Sequence, residues 1–410
     1  MVSTKNFVAL GLTQPITAQC TNLTEWSTCS ATCGIGSRTR SKVCQLFVDK
    51  HESKNFTISE IEDCITDCSS TTLLVVGGFP ERLSEHTDII NFSIQEESGT
   101  SAKVGIAPYD NIKLAFGGTI QDTPLLCGGY FTDYSSEYPE NVDIPNCYAL
   151  NKDGNWTHSA TLTRPRFGAS AVVINDSLLV TGGATFNATD ENQNIELLAE
   201  TELVNLEKSQ SFVSMPQPIV YHCLIKINET HVLSTGGNIL QDGESIVVNA
   251  TFLFNFNTKK WTSGPSLQEA RMTHGCGSFQ LGDSTILLVA SGTVPRSWFT
   301  EDTRSVEILN TDEWSKGWQI ATQKLPLTLR MFSILPSPNN RGLIVTGGYN
   351  AAQDLNNANL LRFECTDDTI ESCKWETSPQ KMLLEGRNGH VALWIPDTIK
   401  TTKYQSPDYF

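Results

Sequence analysis

The chain has 410 residues, 39% hydrophobic and 18% charged, the composition of a folded globular protein rather than a disordered one. Its net charge of −16 excludes nucleic acid and anionic membrane as main partners. No apolar run reaches the roughly 18 residues that a membrane-spanning helix needs.

Residues 1–18 carry Lys5, a short apolar run from Phe7 to Leu12, and a small-residue cut point after Ala18. The run is shorter than an export signal core usually is, so this segment reads as a weak or incomplete signal peptide. Six of the twelve cysteines follow within a short stretch, at Cys20, Cys29, Cys33, Cys44, Cys64 and Cys68. That density reads as a disulfide scaffold formed in an oxidising compartment. Asn-x-Ser/Thr sequons at Asn22, Asn55, Asn91, Asn155, Asn175, Asn187, Asn228 and Asn249 favour the same secretory route, and the expected location is extracellular.

Residues 20–68 are too few to bury much core, so staples must hold them. Arg38, Arg40 and Lys42 alternate and share one face of an extended strand, and Trp26 can lie between their stems as a cation–π layer. The pattern Trp26-Ser-x-Cys29-Ser-x-Thr32-Cys33-Gly34-x-Gly36, then Arg38-x-Arg40, Cys44 and Cys64-x-x-x-Cys68 resembles the thrombospondin type 1 repeat. The resemblance implies a small three-stranded domain with the pairs Cys29–Cys64 and Cys33–Cys68, which leaves Cys20 with Cys44. It also implies O-fucose on Thr32 and C-mannose on Trp26. The sequence departs from the family at Leu23, where another tryptophan is usual.

From Thr72 onward the chain repeats. Apolar β-rich runs end in paired glycines whose first members are Gly77, Gly128, Gly182, Gly236 and Gly347, with Ser291 in a degenerate copy. A period of 51 to 56 residues marks a β-propeller with one four-stranded sheet per period. A late aromatic recurs at Trp156, Phe212, Trp261, Trp318 and Trp375 as a plate between blades. An arginine precedes the next strand at Arg166, Arg271, Arg330 and Arg387. These features resemble the kelch repeat over residues 72–396, which implies an all-β, six-bladed ring. The first unit starts at its second strand, so the segment Arg387–Ile395 is expected to supply the missing strand and close the circle. Residues 397–410 read as a polar, disordered tail.

Cys127 and Cys147 fall on neighbouring strands of one blade, and Cys365 and Cys373 flank a hairpin turn, so both pairs are expected to bridge. Cys223 and Cys276 occupy similar places in adjacent units; a bridge between blades and two buried thiols are both consistent with the sequence.

Strand direction sends the second-to-third-strand loops and the blade-to-blade connections to one end of the propeller. That end receives the four arginines and the loop aromatics Tyr130, Phe131, Tyr134, Tyr138, Trp298 and Phe299, a set suited to an interface. Bracing of the blades by the arginines is the competing reading. Sequons Asn155, Asn175 and Asn228 fall at the opposite end, where glycans would shield the surface. Some kelch-type propellers resemble a copper oxidase, whose chemistry needs paired histidines. His222, His274 and His390 sit in first strands, but no pair has ligand spacing. The expectation is a non-enzyme without cofactor: an extracellular adhesion or matrix-recognition protein that binds a protein or glycan, with the thrombospondin repeat as a second contact module. A metal-dependent propeller enzyme and a purely structural matrix component are the alternatives.

Overall fold

The structure, a computed structural model, describes residues 17–20, 34–49, 52–66, 72–80, 87–91, 102–103, 108–109, 112–135, 140–186, 194–379, 382–383, 385–399 and 402–403. The chain divides into two compact units, Met1–Thr66 and Asp67–Phe410. The described residues contain no helix long and apolar enough to cross a membrane.

In the first unit the strands Thr17–Cys20, Gly34–Asp49 and Glu52–Thr66 form one antiparallel sheet in that order. The register sets Cys20 opposite Cys44 and Gly36 opposite Cys64. Arg38, Arg40 and Lys42 occupy alternate positions of the long middle strand, as their spacing predicts. The side chains of these residues, of Asn55, and residues Asn22, Trp26, Cys29, Thr32, Cys33 and Cys68 lie outside the described set, as does residue range 1–16.

The second unit is a six-bladed propeller. Blade 2 comprises Phe116–Ile120, Thr123–Cys127, Asn146–Leu150 and Trp156–Thr161. Blade 3 comprises Ser170–Ile174, Ser177–Thr181, Thr201–Val204 and Ser209–Ser211. Blade 4 comprises Cys223–Asn228, His231–Thr235, Thr251–Asn255 and Lys260–Ser263. Blade 5 comprises Gly275–Leu281, Ser284–Ala290, Val306–Asn310 and Gln319–Ile320, and blade 6 comprises Ser333–Pro336, Gly342–Thr346, Leu361–Cys365 and Cys373–Thr377. Blade 1 takes its inner strand from the C-terminus: Val391–Ile395 pairs antiparallel with Thr72–Val76, which in turn pairs with Asp88–Asn91. The ring therefore closes as the sequence predicts, and the inner edge of blade 1 is covered.

The apolar clusters lie between blades. Trp318 is fully buried between blades 4 and 5, and Trp156, Trp261 and Trp375 pack on the clusters between blades 1 and 2, 3 and 4, and 5 and 6. The paired glycines answer to two demands at once. Gly182 has φ +59°, and a Cβ there would sit 2.5 Å from the Ile219 carbonyl oxygen of the next blade. Ser291 holds the same left-handed conformation at φ +57°, and its hydroxyl donates to the Thr303 carbonyl and accepts the Leu329 amide.

Three disulfides are formed in the propeller. Cys127–Cys147 and Cys365–Cys373 join directly opposed residues of neighbouring strands. Cys223–Cys276 joins the inner strands of blades 4 and 5, which decides between the two readings the sequence allows. The tail corrects one expectation: it does not leave the fold at residue 397. Asp397 accepts a hydrogen bond from Thr72, Ile399 is buried in the cluster between blades 1 and 2, and Thr402–Lys403 pairs with Ala102–Lys103.

Candidate recognition face

One end of the propeller is built from two kinds of segment. Between the second and third strands of blades 2 to 6 the chain projects a short extra hairpin: Tyr130–Asp133 with Glu140–Asp143, Ala184–Phe186 with Ile195–Leu197, Asn238–Gln241 with Glu244–Val247, Thr293–Pro295 with Thr300–Asp302, and Tyr349–Asn350 with Leu355–Asn356. Inside this ring of hairpins run the segments that enter each inner strand. Their equivalence is fixed by a repeated hydrogen bond, from the second residue of each glycine pair to a carbonyl of the next blade. The acceptors are Ile112, Arg166, Ile219, Arg271, Leu329 and Arg387.

Arginine thus alternates with an aliphatic residue around the ring. Arg387, Arg166 and Arg271 belong to blades 1, 3 and 5, and each is essentially inaccessible to solvent. Each is ion-paired to a buried carboxylate on the third strand of its own blade: Asp88 at 2.6 Å, Glu202, and Glu307 at 2.8 Å. The same guanidinium donates to the carbonyl of the first residue of the glycine pair: Gly77, Gly182 or Ser291. Glu202 and Glu307 are further satisfied by two backbone amides each, from Thr163 and Arg164 and from Gln268 and Glu269. In blades 2, 4 and 6 the equivalent third-strand positions hold Tyr148, Phe252 and Leu361. These three arginines are internal struts, which corrects their reading as ligand-face residues: a guanidinium closed off from solvent and ion-paired within its own blade is not presented to a ligand.

Arg330 is not equivalent to them. It stands one residue further on, where it bridges Tyr349, and its guanidinium lies 4.7 Å over the Tyr349 ring and 3.7 Å from Asp302. It is half-buried at the hairpin end.

The next position in each segment has a left-handed backbone in all six blades: Leu114, Gly168, Tyr221, Thr273, Met331 and Gly389. Their amides and carbonyls form a closed circle of six hydrogen bonds, 2.7 to 3.0 Å long, running from each residue to its counterpart in the neighbouring blade. One residue deeper lie His222, His274 and His390. Each ring nitrogen Nε2 contacts a threonine of the preceding blade, Thr181, Thr235 or Thr346, at 2.8, 3.0 and 2.8 Å. Burial holds all three imidazoles well below their ordinary range, His222 and His390 at about 3.

The aromatic candidates separate into two groups. Tyr130 is enclosed by Phe79, Phe167 and Phe186, with the Lys113 ammonium 5.6 Å over its ring; burial, then the neighbouring Tyr221, pushes its hydroxyl up to about 12. Phe131 stacks on Tyr109 at 5.0 Å. Both are framework. Trp298 and Phe299, at the tip of the blade 5 hairpin, are 95% and 61% exposed, and Tyr134 is 64% exposed. Tyr138 lies outside the described residues.

Sequence reasoning missed Val142, Ile195, Leu240 and Leu355, which are exposed on the other hairpins. Of the large hydrophobics exposed among the described residues, all but Ile320 lie on these hairpins. A local signal existed for one of them: Asp242-Gly243, with φ +54° and +83°, is a hairpin turn between two short alternating runs.

The opposite end carries the short turns. Asn155 and Asn175 are exposed there and Asn228 is half-buried, while Asn249 stands at the hairpin end with its amide donating to the Leu267 carbonyl. Asn187 and the side chain of Asn91 lie outside the described set.

Residues 21–71 match the family model of the thrombospondin type 1 domain. No curated protein sequence matches the chain. Among solved structures, that of YjhT superposes with a TM-score of 0.60 at 12% identity, covering 75% of this chain and 95% of YjhT, a likeness of fold alone. That domain and the disulfides mark an extracellular protein. The chain is therefore a thrombospondin type 1 domain followed by a six-bladed β-propeller.

Proposed function

We propose that this protein is a secreted, non-catalytic recognition protein of adhesion or matrix type, with a kelch-type propeller that binds a protein or glycan through its hairpin end. The observation that carries the reading is the gathering of exposed Trp298, Phe299, Tyr134, Leu240, Ile195 and Leu355 on the hairpins of one end. Solvent-facing aromatics on short, framework-braced hairpins are what an interface anchor requires. The framework beneath is occupied with holding itself together. Asp143 of the blade 2 hairpin accepts from Thr185 and the Phe186 amide of the blade 3 hairpin, so neighbouring hairpins brace one another.

The non-catalytic part of the proposal rests on the inner histidines. Each is buried, held neutral, and engaged by a threonine of the adjoining blade. Such imidazoles are poorly placed to take up a proton or meet a substrate.

The test is a binding screen of the full chain against extracellular proteins and glycans, repeated with Trp298→Ala/Phe299→Ala and with Tyr134→Ala. Partners captured by the parent should be lost by at least tenfold in the double variant. Capture that is indifferent to both variants would remove this end from consideration.

A further inference from the structure

The hairpin ring is strongly acidic. The described residues of its five hairpins, 130–135 with 140–143, 184–186 with 194–197, 238–247, 293–302 and 349–356, include nine Asp and Glu residues and one basic residue, Arg296. Nine carboxylates against one guanidinium leave these residues a net charge of −8 within a small share of the chain's length.

Cations at this end offset part of that charge: Lys113 donates to Thr132, exposed Arg304 donates to the Leu325 carbonyl, and Lys324 is exposed beside that leucine. Arg296 is paired with Glu301 at 2.6 Å. Arg164 is held by Glu196 and Glu200. The three strut arginines are internal, and Arg330 is stacked on Tyr349 beside Asp302. Glu140, Asp242 and Glu244 are exposed and, among the described residues, have no ion-pair partner. Asp133 is kept ionised below the usual carboxylate range by hydrogen bonds from Ser135. Apolar and anionic groups therefore interleave: Leu240 beside Asp242 and Glu244, Tyr134 beside Asp133, Ile195 beside Glu196.

We infer that the hairpin end recognises a cationic polypeptide surface, one that presents Lys or Arg together with apolar side chains. The inference rests on the reading of this end as the contact face and specifies the partner's chemistry. Carboxylates set around exposed apolar residues steer and orient a basic partner, while the aromatics supply the desolvated contact. The same surface disfavours sulfated or acidic glycans and acidic peptides where Glu140, Asp242 and Glu244 stand exposed without an ion-pair partner among the described residues.

The experiment uses the full chain and three labelled peptides of equal length. One combines Lys and Leu, one combines Glu and Leu, and one combines Lys and Ser. Binding is read by fluorescence anisotropy at two salt concentrations, with a heparin oligosaccharide as competitor. The Lys/Leu peptide should bind most tightly and weaken with salt, and heparin should not bind the propeller end. Asp242→Asn/Glu244→Gln should weaken the Lys/Leu peptide at least fivefold, and Trp298→Ala/Phe299→Ala at least as much. A control pair of equal charge change at the opposite end, Asp122→Asn/Asp176→Asn, should leave it within twofold. Equal loss in the control pair would reduce the effect to net charge and overturn the inference, as would tighter binding of the Glu/Leu peptide. The two readings fail differently. An acidic partner from the screen that is lost in the Trp298/Phe299 variant keeps the contact face and sinks the cationic partner. Indifference of every ligand to that variant sinks both.

Discussion

The alternation of strut and aliphatic blades lets the protein serve as its own control for what a buried ion pair contributes. Consider Arg271→Ile in blade 5, which installs the residue found at the equivalent place in blade 4, Ile219. Glu307 would keep two backbone amides, from Gln268 at 2.7 Å and Glu269 at 3.1 Å, and lose its cation in a site closed to solvent. The Ser291 carbonyl would also lose its guanidinium donor. Removing one partner of a buried pair costs about 3–5 kcal/mol, since the remaining charge stays desolvated. Over the unfolding entropy of a unit of about 330 residues, roughly 0.7 kcal/mol/K, about 4 kcal/mol lowers the melting temperature by about 6 °C. The double change Arg271→Ile/Glu307→Phe copies blade 4 completely. It removes both charges but leaves two amides unpartnered, at about 1–3 kcal/mol each. The double variant should therefore lose less than the two single variants summed, with a coupling of about 2 kcal/mol or more. Differential scanning calorimetry of the four proteins measures this cycle. Additive losses, or a single variant that melts within 1 °C of the parent, would refute the strut reasoning.

Three further outcomes are expected. His222, His274 and His390 are buried with depressed affinity for protons, so only the unfolded chain takes up protons on them below about pH 6.5. Their contribution is intact above that pH and is lost as pH falls below it, down to about 3 for His222 and His390, by up to about 1.4 kcal/mol per pH unit for each. A triple His→Gln variant should therefore show a smaller drop in melting temperature between pH 7 and pH 5 than the parent; an unchanged drop would refute the role. Replacing Cys223 and Cys276 with serine, which opens a separation of 53 residues, should cost about 4 kcal/mol by loop-closure entropy, against about 2.5 kcal/mol for Cys365 and Cys373 at a separation of 8. A reversed order in thermal melts would count against the entropic account. Deleting residues 387–410 strips the inner strand from Thr72–Val76 and should give aggregates on size-exclusion chromatography; a monomer with unaltered melting temperature would show that closure is dispensable.

The ring, its blade count and its closing strand were legible in the sequence because they follow from a period. Each glycine pair marks a backbone that is left-handed and pressed against the next blade, and no other residue type satisfies both demands so readily. The local disulfides were legible for a similar reason, since the members of each pair lie on adjacent strands. The fate of the arginines was not legible. Arg166 and Arg271 are internal because Glu202 and Glu307 stand 36 residues further along the chain, and Arg387 because Asp88 waits 299 residues earlier in the sequence. Solvent exposure there is decided by a partner that local reading cannot see. Arg330 shows the complementary error. A one-residue slip places it in a different column, where its neighbours are a tyrosine ring and Asp302. The exposed aliphatic residues of the hairpins were hidden by their shortness: strands of two to four residues give little periodic signal.

The distribution of constraint also explains where variation can carry function in this propeller. Moving outward along each entering segment, one meets a histidine or other side chain wedged against the preceding blade, then a left-handed residue in the axial circle, and then a strut or an aliphatic plug. Each of these positions contacts a neighbouring blade, so a change there is felt around the ring. The six-membered backbone circle is the extreme case, because it uses main-chain groups and any side chain compatible with the left-handed conformation can occupy it. Leu114, Tyr221, Thr273 and Met331 do so alongside two glycines. The hairpins lie at the margin of this network. They meet it at backbone bridges, such as Val220 with Asn238 and Met272 with Thr293, and through Tyr130, Phe186 and Leu197 packed with Leu114, Phe167 and Tyr221, while their exposed residues are free to be apolar, acidic or both. The proposed recognition surface therefore lies on a part of the propeller whose exposed residues the closure of the circle does not dictate.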